Sequence, residues 1–346
     1  MFDALLKQRA LSVLLALGIL VAGVLAWRDL PVDAFPDVTG VQVQISAQAE
    51  GLSTEGVERL VTIPIEDAMG GLPGFSQVRS VTKDSLSLVT VVFEDDKSID
   101  LARQEVSQRL DHVREELPPG VEPEMGPKVS GLGEVFQYTL EVEQTDAEEP
   151  GPSLRDLREL QDWVIARRLV RVKGVTEVNS FGGEVPQLEV LPDPDLLMAH
   201  GFTMADVEAT IRRAGHDVGG GFIDDGESRR YVVGRGRYQD PKDLRRLVLG
   251  AVDGTSVFLH QVAEVRIGHV PRFGAITRNG TGETVGGVVM LLQGANARDV
   301  VGRIKDAIEE LAPSLPDDVR IVPYYDRTLL TDASVGTVSE ALVVGG

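Results

Sequence analysis

Residues able to hold a metal or move a proton are few in this chain, and they are scattered. The five histidines are His112, His200, His216, His260 and His269. None stands four residues from another and no HExxH occurs, so no helix presents paired imidazoles to zinc. His216-Asp217 joins an imidazole to a carboxylate inside a glycine-rich tract, where an ordinary surface pair is the favoured reading over a ligand pair. Met198 and Met204 flank His200 at a spacing that would interest copper, yet they read first as core contacts of two short helices. Cysteine is absent, which excludes thiolate ligands, a Cys nucleophile and disulfides. No G-x-S-x-G elbow is present for a hydrolase triad. Glu94-Asp95-Asp96 and Asp224-Asp225 read as solvated charge in turns. No catalytic or cofactor-binding residue is assigned, no enzyme is read here, and metal ligands stay unassigned.

The elements that carry these residues begin with an apolar segment. Ala10–Trp27 holds no charge, Lys7 and Arg9 precede it, and Arg28 and Asp29 follow and cancel. Its length suits a short membrane span, and the positive-inside rule puts the N-terminus in the cytoplasm and the rest across the membrane. A cleaved signal peptide, with Val24-Leu25-Ala26 as cleavage site, is the less favoured alternative because the apolar run is long for one. From Glu340 the chain turns small and apolar again, as if a second span began within 327–346. The formal net charge of −20 argues against a nucleic-acid partner. Hydrophobic residues make up 42%, enough for sizeable cores over two or three domains.

A pattern occurs twice. Gly74-Phe75-Ser76-Gln77-Val78-Arg79-Ser80 returns as Gly174-Val175-Thr176-Glu177-Val178-Asn179-Ser180, an offset of 100. Leu117-Pro118-Pro119-Gly120-Val121 returns as Leu315-Pro316-Asp317-Asp318-Val319, an offset of 198, so the second copy carries an insertion of about 198 − 100 = 98 residues. In the first copy Val41–Ile45 alternates as a strand. A helix follows, capped by Ser53 or Thr54, with Val57, Leu60, Val61, Ile65, Ala68 and Met69 inward and a bend expected at Pro64. Strands are expected over Gln77–Thr82 and Leu86–Phe93. A helix capped by Ser98 then buries Ile99, Ala102, Val106, Leu110, Val113 and Leu117, and a last strand falls near Val121–Val129. The order is β-α-β-β-α-β.

The second copy follows suit. Glu134–Glu143 is a strand, Ser153 and Asp156 form a capping box, and Leu157, Leu160, Val164 and Arg168 mark a helix face. Strands at Val175–Phe181 and Thr284–Leu292 follow. A helix capped by Asn296 turns Val300, Ile304, Ala307 or Ile308, and Leu311 inward, and a strand at Ile321–Tyr325 closes the unit. The connection Lys83–Ser85 of the first copy becomes Gly183–Glu283 in the second, too long for a loop and so a domain of its own. That insertion has helical patterns at Pro194–His200 and Thr203–Ala214. Its flexible, polar tract Gly219-Gly220-Gly221 is not a phosphate loop, because no Gly-Lys-Ser/Thr follows. The tract is either a surface hairpin, favoured on the residues alone, or a reach toward a neighbouring subunit.

The stretch Leu30-Pro31-Val32-Asp33-Ala34-Phe35-Pro36-Asp37-Val38-Thr39 resembles the heavy-metal efflux branch of the resistance-nodulation-division (RND) transporters. The likeness runs on through Val41–Gln44, Glu58–Val61, Val89–Asp95, Glu124–Pro127, Gly131–Tyr138, Gly286–Met290 and Tyr325-Asp326-Arg327, and covers essentially the whole chain. It implies an α+β fold: a first transmembrane helix within 1–29, set in membrane lipid, then two ferredoxin-like porter subdomains. These are 30–130 and, discontinuously, 131–182 with 272–326. A docking subdomain is inserted at 183–271, and a second span begins in 327–346. The resemblance also raises the intersubunit reading of the glycine-rich arm, Gly219, Gly220, Gly221 and Phe222, which would enter a neighbouring protomer of a homotrimer.

Pumps of this type are driven by protons, sit in the inner membrane with several spans, and join a periplasmic adaptor and an outer-membrane channel. Here Gly40 stands where the family commonly has Asn. The relatives are longer, and their proton-carrying and metal-selecting residues correspond to no position of this sequence. Divalent cations are favoured as cargo over Cu(I) or Ag(I), since the chain has no cysteine, six methionines, and 54 acidic against 34 basic residues. The competing readings are a protein-translocation accessory subunit and a membrane-anchored periplasmic scaffold or binding module.

Overall fold

The computed structural model describes residues 9–29, 39–129, 133–143, 151–224, 226, 228–280 and 282–345. Lys7, Leu30–Val38, Gly131-Leu132, Asp225 and Glu227 lie outside the described residues. The chain divides into two compact units. One comprises Met1–Gly151, Leu160–Phe181 and Val285–Gly346, the other Pro152–Glu159 and Gly182–Thr284.

In the first repeat, alternation along strand Gln42–Gln48 turns Val43, Ile45 and Ala47 into the core and leaves Gln44 and Gln48 exposed. The antiparallel sheet runs in the order Phe75–Lys83, Leu86–Phe93, Gln42–Gln48, Pro123–Met125. Helix Ile99–Val113 buries Ala102, Val106, Leu110 and Val113 against it. Ser98 holds the N-cap position, but its hydroxyl makes no capping bond there. The next residue back does the anchoring. Lys97 Nζ donates to Pro73 O and to Glu105 Oε2, both at 2.9 Å, and lies 5.8 Å from the Phe93 ring centre. With its lysine turned inward, the acidic turn Glu94-Asp95-Asp96 stays in water.

The helix between the first two strands departs from the expected spacing. Val57, Val61, Ile65 and Met69 are buried at strict four-residue intervals, whereas Leu60 is 45% exposed. In a regular α-helix each four-residue step overshoots one turn by about 40°, so three steps would carry the last residue about 120° off the face. A π turn at Glu58–Thr62 joins Thr54–Val57 to Ile63–Met69, and its extra residue takes up that drift. Pro64 falls in the first turn after it, where a missing N–H is tolerated. The second repeat does the same. Leu154–Leu160 passes through a π turn at Gln161–Ile165 into Ala166–Leu169. The buried set is therefore Leu157, Gln161, Ile165 and Leu169. Val164 and Arg168, expected inward from a 3.6-residue period, are exposed instead.

The second sheet has the same order, Val175–Gly182, Glu283–Leu291, Glu134–Val142, Val319–Asp326, with the two-residue strand Ile276–Thr277 also paired to Glu283–Leu291. Gln161 brings a polar side chain into this core. Its Oε1 accepts from Tyr138 Oη at 3.0 Å and its Nε2 donates to Ser180 Oγ at 3.3 Å. Burial pushes the Tyr138 hydroxyl well up, so it stays a donor. Helix Ala297–Leu311, capped by the Asn296 side chain accepting from Asp299 N, buries Val300, Val301, Ile304, Ala307 and Leu311. Of the two alternatives at its third turn, Ala307 is buried and Ile308 half-buried.

Strand Val319–Asp326 runs directly into helix Arg327–Gly345. Asp326 serves the junction, because its Oδ1 accepts from Thr328 N at 2.9 Å and Thr328 Oγ1 at 2.6 Å while Oδ2 pairs with Lys305. Burial pushes the Asp326 carboxyl up, but Lys305 and the Thr328 hydroxyl and N–H outweigh it and hold it below its usual range. A carboxylate depressed in the folded state contributes stability above its ordinary pKa, near 4, and loses it as the pH falls through the folded value. Amide exchange in Arg327–Gly345 should accelerate below about pH 4 beyond the change common to all amides. Asp326→Asn should abolish that excess; an unaltered pH response in this variant would count against the junction.

Helix Arg9–Asp29 covers the apolar N-terminal segment. Its described side chains, Val13–Gly23 and Leu25, are exposed. Among the residues so described, no helix is long and apolar enough to cross a membrane. The span expected over Ala10–Trp27 is therefore not established by the fold.

The other unit has its own core of Leu197, Val207, Leu244, Leu259, Val262 and Val265 among others. Helix Pro194–His200 is capped by Asp193 and ends at Gly201 with φ 71°. Met204–Ala214 starts from a capping box of Thr203 and Asp206. Strand Pro186–Pro192 pairs antiparallel with Ala263–His269, and Val248–Val252 with Thr255–Phe258.

Candidate functional site

The residues read from the sequence as metal candidates do not converge. Among the described residues no three His, Asp or Glu side chains are grouped to hold a metal ion. His260 Nδ1 lies 2.9 Å from the Arg245 carbonyl and its ring stacks on Phe258, while His269 Nδ1 meets the Val270 carbonyl at 3.1 Å. His112 is exposed in the last turn of its helix. Met198 and Met204, expected as core contacts, are 71% and 60% exposed. The cores of those two helices are Leu197 and Val207, which leaves both thioethers on the outer faces. His216-Asp217 is joined by no third candidate ligand among the described residues, and Asp217 Oδ1 accepts from Gly236 N at 2.8 Å and Arg237 N at 3.1 Å.

The glycine tract is where structure accumulates. Strand Val218–Asp224 pairs antiparallel with Arg229–Gly234, opposing Val218 to Gly234, Gly219 to Val233 and Phe222 to Tyr231. The register shifts between Gly219 and Phe222. Gly221 sits there at φ 80°, a conformation natural only to glycine, and a β-carbon on Gly220 would come within 2.8 Å of Val232 Cγ1. The tract is less polar than expected. Val218, Phe222, Ile223, Tyr231, Val232 and Val233 are all exposed, Tyr231 by 77%. Arg229 folds its guanidinium over the Phe222 ring at 4.1 Å and stands 3.6 Å from Asp224. A lone two-stranded ribbon is marginal in water, and this one leaves six large apolar side chains exposed.

Its root is tightly built. The two backbone N–H bonds hold the Asp217 carboxyl below its usual range and tie the end of the ribbon to its start. Tyr238 Oη donates to Ile211 O at 2.7 Å. A β-carbon on Gly215 would fall 2.9 Å from the Tyr238 ring, and one on Gly236 would overlap the His216 carbonyl and approach that of Ala214 at 2.7 Å. Replacing Asp217 by alanine should speed amide exchange at Gly236 and Arg237 at least tenfold and leave Ala263–His269 unchanged. Equal protection in the variant would show that the carboxylate is not the clasp. Beside the root lies a cleft of about 740 Å³ lined by Val233, Arg235, Arg237, Tyr238, Arg246 and Leu247 among others. Sequence reasoning passed over it. The available signal was seven basic residues against two acidic ones between Arg229 and Arg246, in a chain with 34 against 54.

The profile of the AcrB/AcrD/AcrF family matches residues 1–346. The chain belongs to that family. It is 38% identical over 342 residues to the cobalt-zinc-cadmium resistance protein CzcA of Cupriavidus metallidurans, covering 98% of this chain and 32% of that protein. With the cation efflux system protein CusA of Escherichia coli K12 it shares 37% over 337 residues, 97% of this chain and 32% of the other. Its fold matches the X-ray crystal structure of a heavy metal efflux pump, crystal form II, with TM-score 0.88 and 32% identity over 99% of this chain and 34% of that one. The chain thus spans about a third of the length of the relatives it matches. The likeness to the heavy-metal efflux branch of the RND transporters holds from end to end.

Proposed function

We propose that this chain is the N-terminal portion of an inner-membrane, proton-driven RND pump that exports heavy-metal cations through a periplasmic adaptor and an outer-membrane channel. The observation that carries it is the match of 99% of the chain to one third of a heavy metal efflux pump. In this reading helix Arg9–Asp29 is the first membrane helix, its exposed apolar side chains facing lipid, and Arg327–Gly345 begins the second. The two β-α-β-β-α-β repeats are periplasmic porter subdomains and the inserted unit is the docking subdomain. The ribbon Val218–Gly234, which includes Gly219, Gly220, Gly221 and Phe222, reaches into the next protomer of a trimer. The whole-length likeness favours this over a translocation accessory subunit or a free-standing scaffold.

Divalent cations remain the favoured cargo. Identity does not separate CzcA from CusA, at 38% and 37%. The preference rests on an acidic, cysteine-free chain whose Met198 and Met204 point outward rather than pairing. Expressed in a metal-sensitive strain, this chain alone should confer no resistance, while the full-length gene should protect against zinc, cobalt or cadmium. Resistance from the chain alone would overturn the fragment reading, and protection by the full gene against silver and copper only would overturn the cargo.

A further inference from the structure

We propose that a basic, tryptophan-bearing edge of the second repeat, residues 163–173, lies on the anionic phospholipid head groups of the bilayer. The inference rests on the membrane reading above and adds a lipid-binding surface to it. Strand register fixes where this edge is. Glu134 opposes Met290, Phe136 opposes Asp326, and Leu292 N donates to Gly174 O at 2.8 Å. The start of strand Glu134–Val142, the turn before Val175 and the start of helix Arg327–Gly345 therefore share one end of the sheet. The helix read as the beginning of a membrane span leaves the repeat from that end.

The side chains here suit a head-group layer. Trp163 is 63% exposed, and the Arg167 guanidinium lies 4.2 Å from its ring centre. Val164 and Val170 are exposed beside them. Arg171 and Lys173 are exposed on the turn, and Arg303 is exposed on helix Ala297–Leu311, its Nη2 3.5 Å from where a β-carbon on Gly174 would stand. None of these three is paired with a carboxylate among the described residues. Only Arg168 has an internal one, Glu310. Tryptophan, valine and unpaired cations on one surface let rings and methyls enter the head-group layer while the cations meet phosphate. Of the chain's two tryptophans, the other, Trp27, closes the apolar run 10–27. The first repeat supplies the control. Residues 163–174 hold four basic side chains and no acidic one, whereas residues 63–74, in the same place on the same fold, hold two acidic and no basic ones. The fold does not need this charge, so it serves a partner outside the repeat, and a negative one.

A photoreactive benzophenone side chain placed at Val170 of the full-length gene product should form phospholipid adducts in membranes, read by mass spectrometry. One placed at Asp317, at the other end of the sheet, should form none. In nanodiscs the yield at Val170 should be about fivefold higher in phosphatidylglycerol than in phosphatidylcholine, and high salt should remove the difference. Arg167→Glu with Arg171→Glu and Lys173→Glu should abolish the preference, while Arg171→Lys should keep it. The same probe at Leu17, in helix Arg9–Asp29, reads the membrane assignment itself and reports whether the charge-reversed variant is still inserted. Lipid adducts at Leu17 with none at Val170, or with protein adducts alone there, would overturn the surface and leave the membrane reading standing. Equal yields at Val170 in the two lipids would also overturn it. No lipid adduct at either position would overturn the surface and the membrane reading together.

Discussion

Replacing Gly287 by alanine should destabilise the second repeat by about 3 kcal/mol, the upper end of what overpacking costs. Gly287 faces Tyr138 directly across the sheet, and a β-carbon there would overlap Tyr138 Cζ and Oη and lie 2.8 Å from Cε1. Neither partner can retreat. Strand Glu283–Leu291 is held between Val175–Gly182 and Glu134–Val142, and the Tyr138 ring is fully buried with its hydroxyl tied to Gln161. Native-state amide exchange in Glu134–Val142 would read the loss. Adding Tyr138→Phe should not rescue the variant, because Cζ is obstructed as well as Oη, whereas Tyr138→Leu should. Protection within about 0.5 kcal/mol of the parent would show that the strand pair has slack.

The second large effect is expected at Gln161. Gln161→Met keeps the volume but leaves the buried Tyr138 hydroxyl without its acceptor, at a cost of about 2–3 kcal/mol. Tyr138→Phe added to it removes the stranded group and should recover more than half of that loss, since deleting both partners of a buried hydrogen bond is far cheaper than deleting one. The equivalent position of the first repeat, Val61, is apolar and buried, and that core places its polar contact one residue on, where Thr62 Oγ1 donates to Ser87 Oγ at 2.8 Å. Equal destabilisation of the single and double variants would place the cost in packing alone.

Much of the fold was legible because alternation and turn chemistry are local. The run Leu86–Phe93, the inward face Ala102–Val106–Leu110–Val113 and the Ser153–Asp156 box needed only neighbours in sequence. The helix faces misread at Leu60, Val164 and Arg168 shared one cause. A 3.6-residue period was laid over segments whose buried residues recur every four, and that spacing itself was the mark of a π turn. The ribbon was visible as a glycine tract, but its character was not. Gly219-Gly220-Gly221 and the flanking charges looked polar, whereas pairing brought Phe222 and Tyr231 together on an exposed strip. The arginine cleft depends on Asp217 clasping residues nineteen and twenty positions away, a closure that no window of sequence contains.

The wide turn in both repeat helices orders events in the history of the chain. Ser53 and Ser153, Val57 and Leu157, Ile65 and Ile165, Met69 and Leu169 stand 100 positions apart, and the extra residue falls between the same landmarks in each. If the two halves were copied from one ancestor, that ancestor already held the bulge, because two separate insertions would need to have arrived in the same turn. The segment Gly182–Thr284 interrupts one half only, so one half gained it or the other lost it after the copying. The Val61 and Gln161 difference likewise followed the copying, a divergence of cores on a shared backbone.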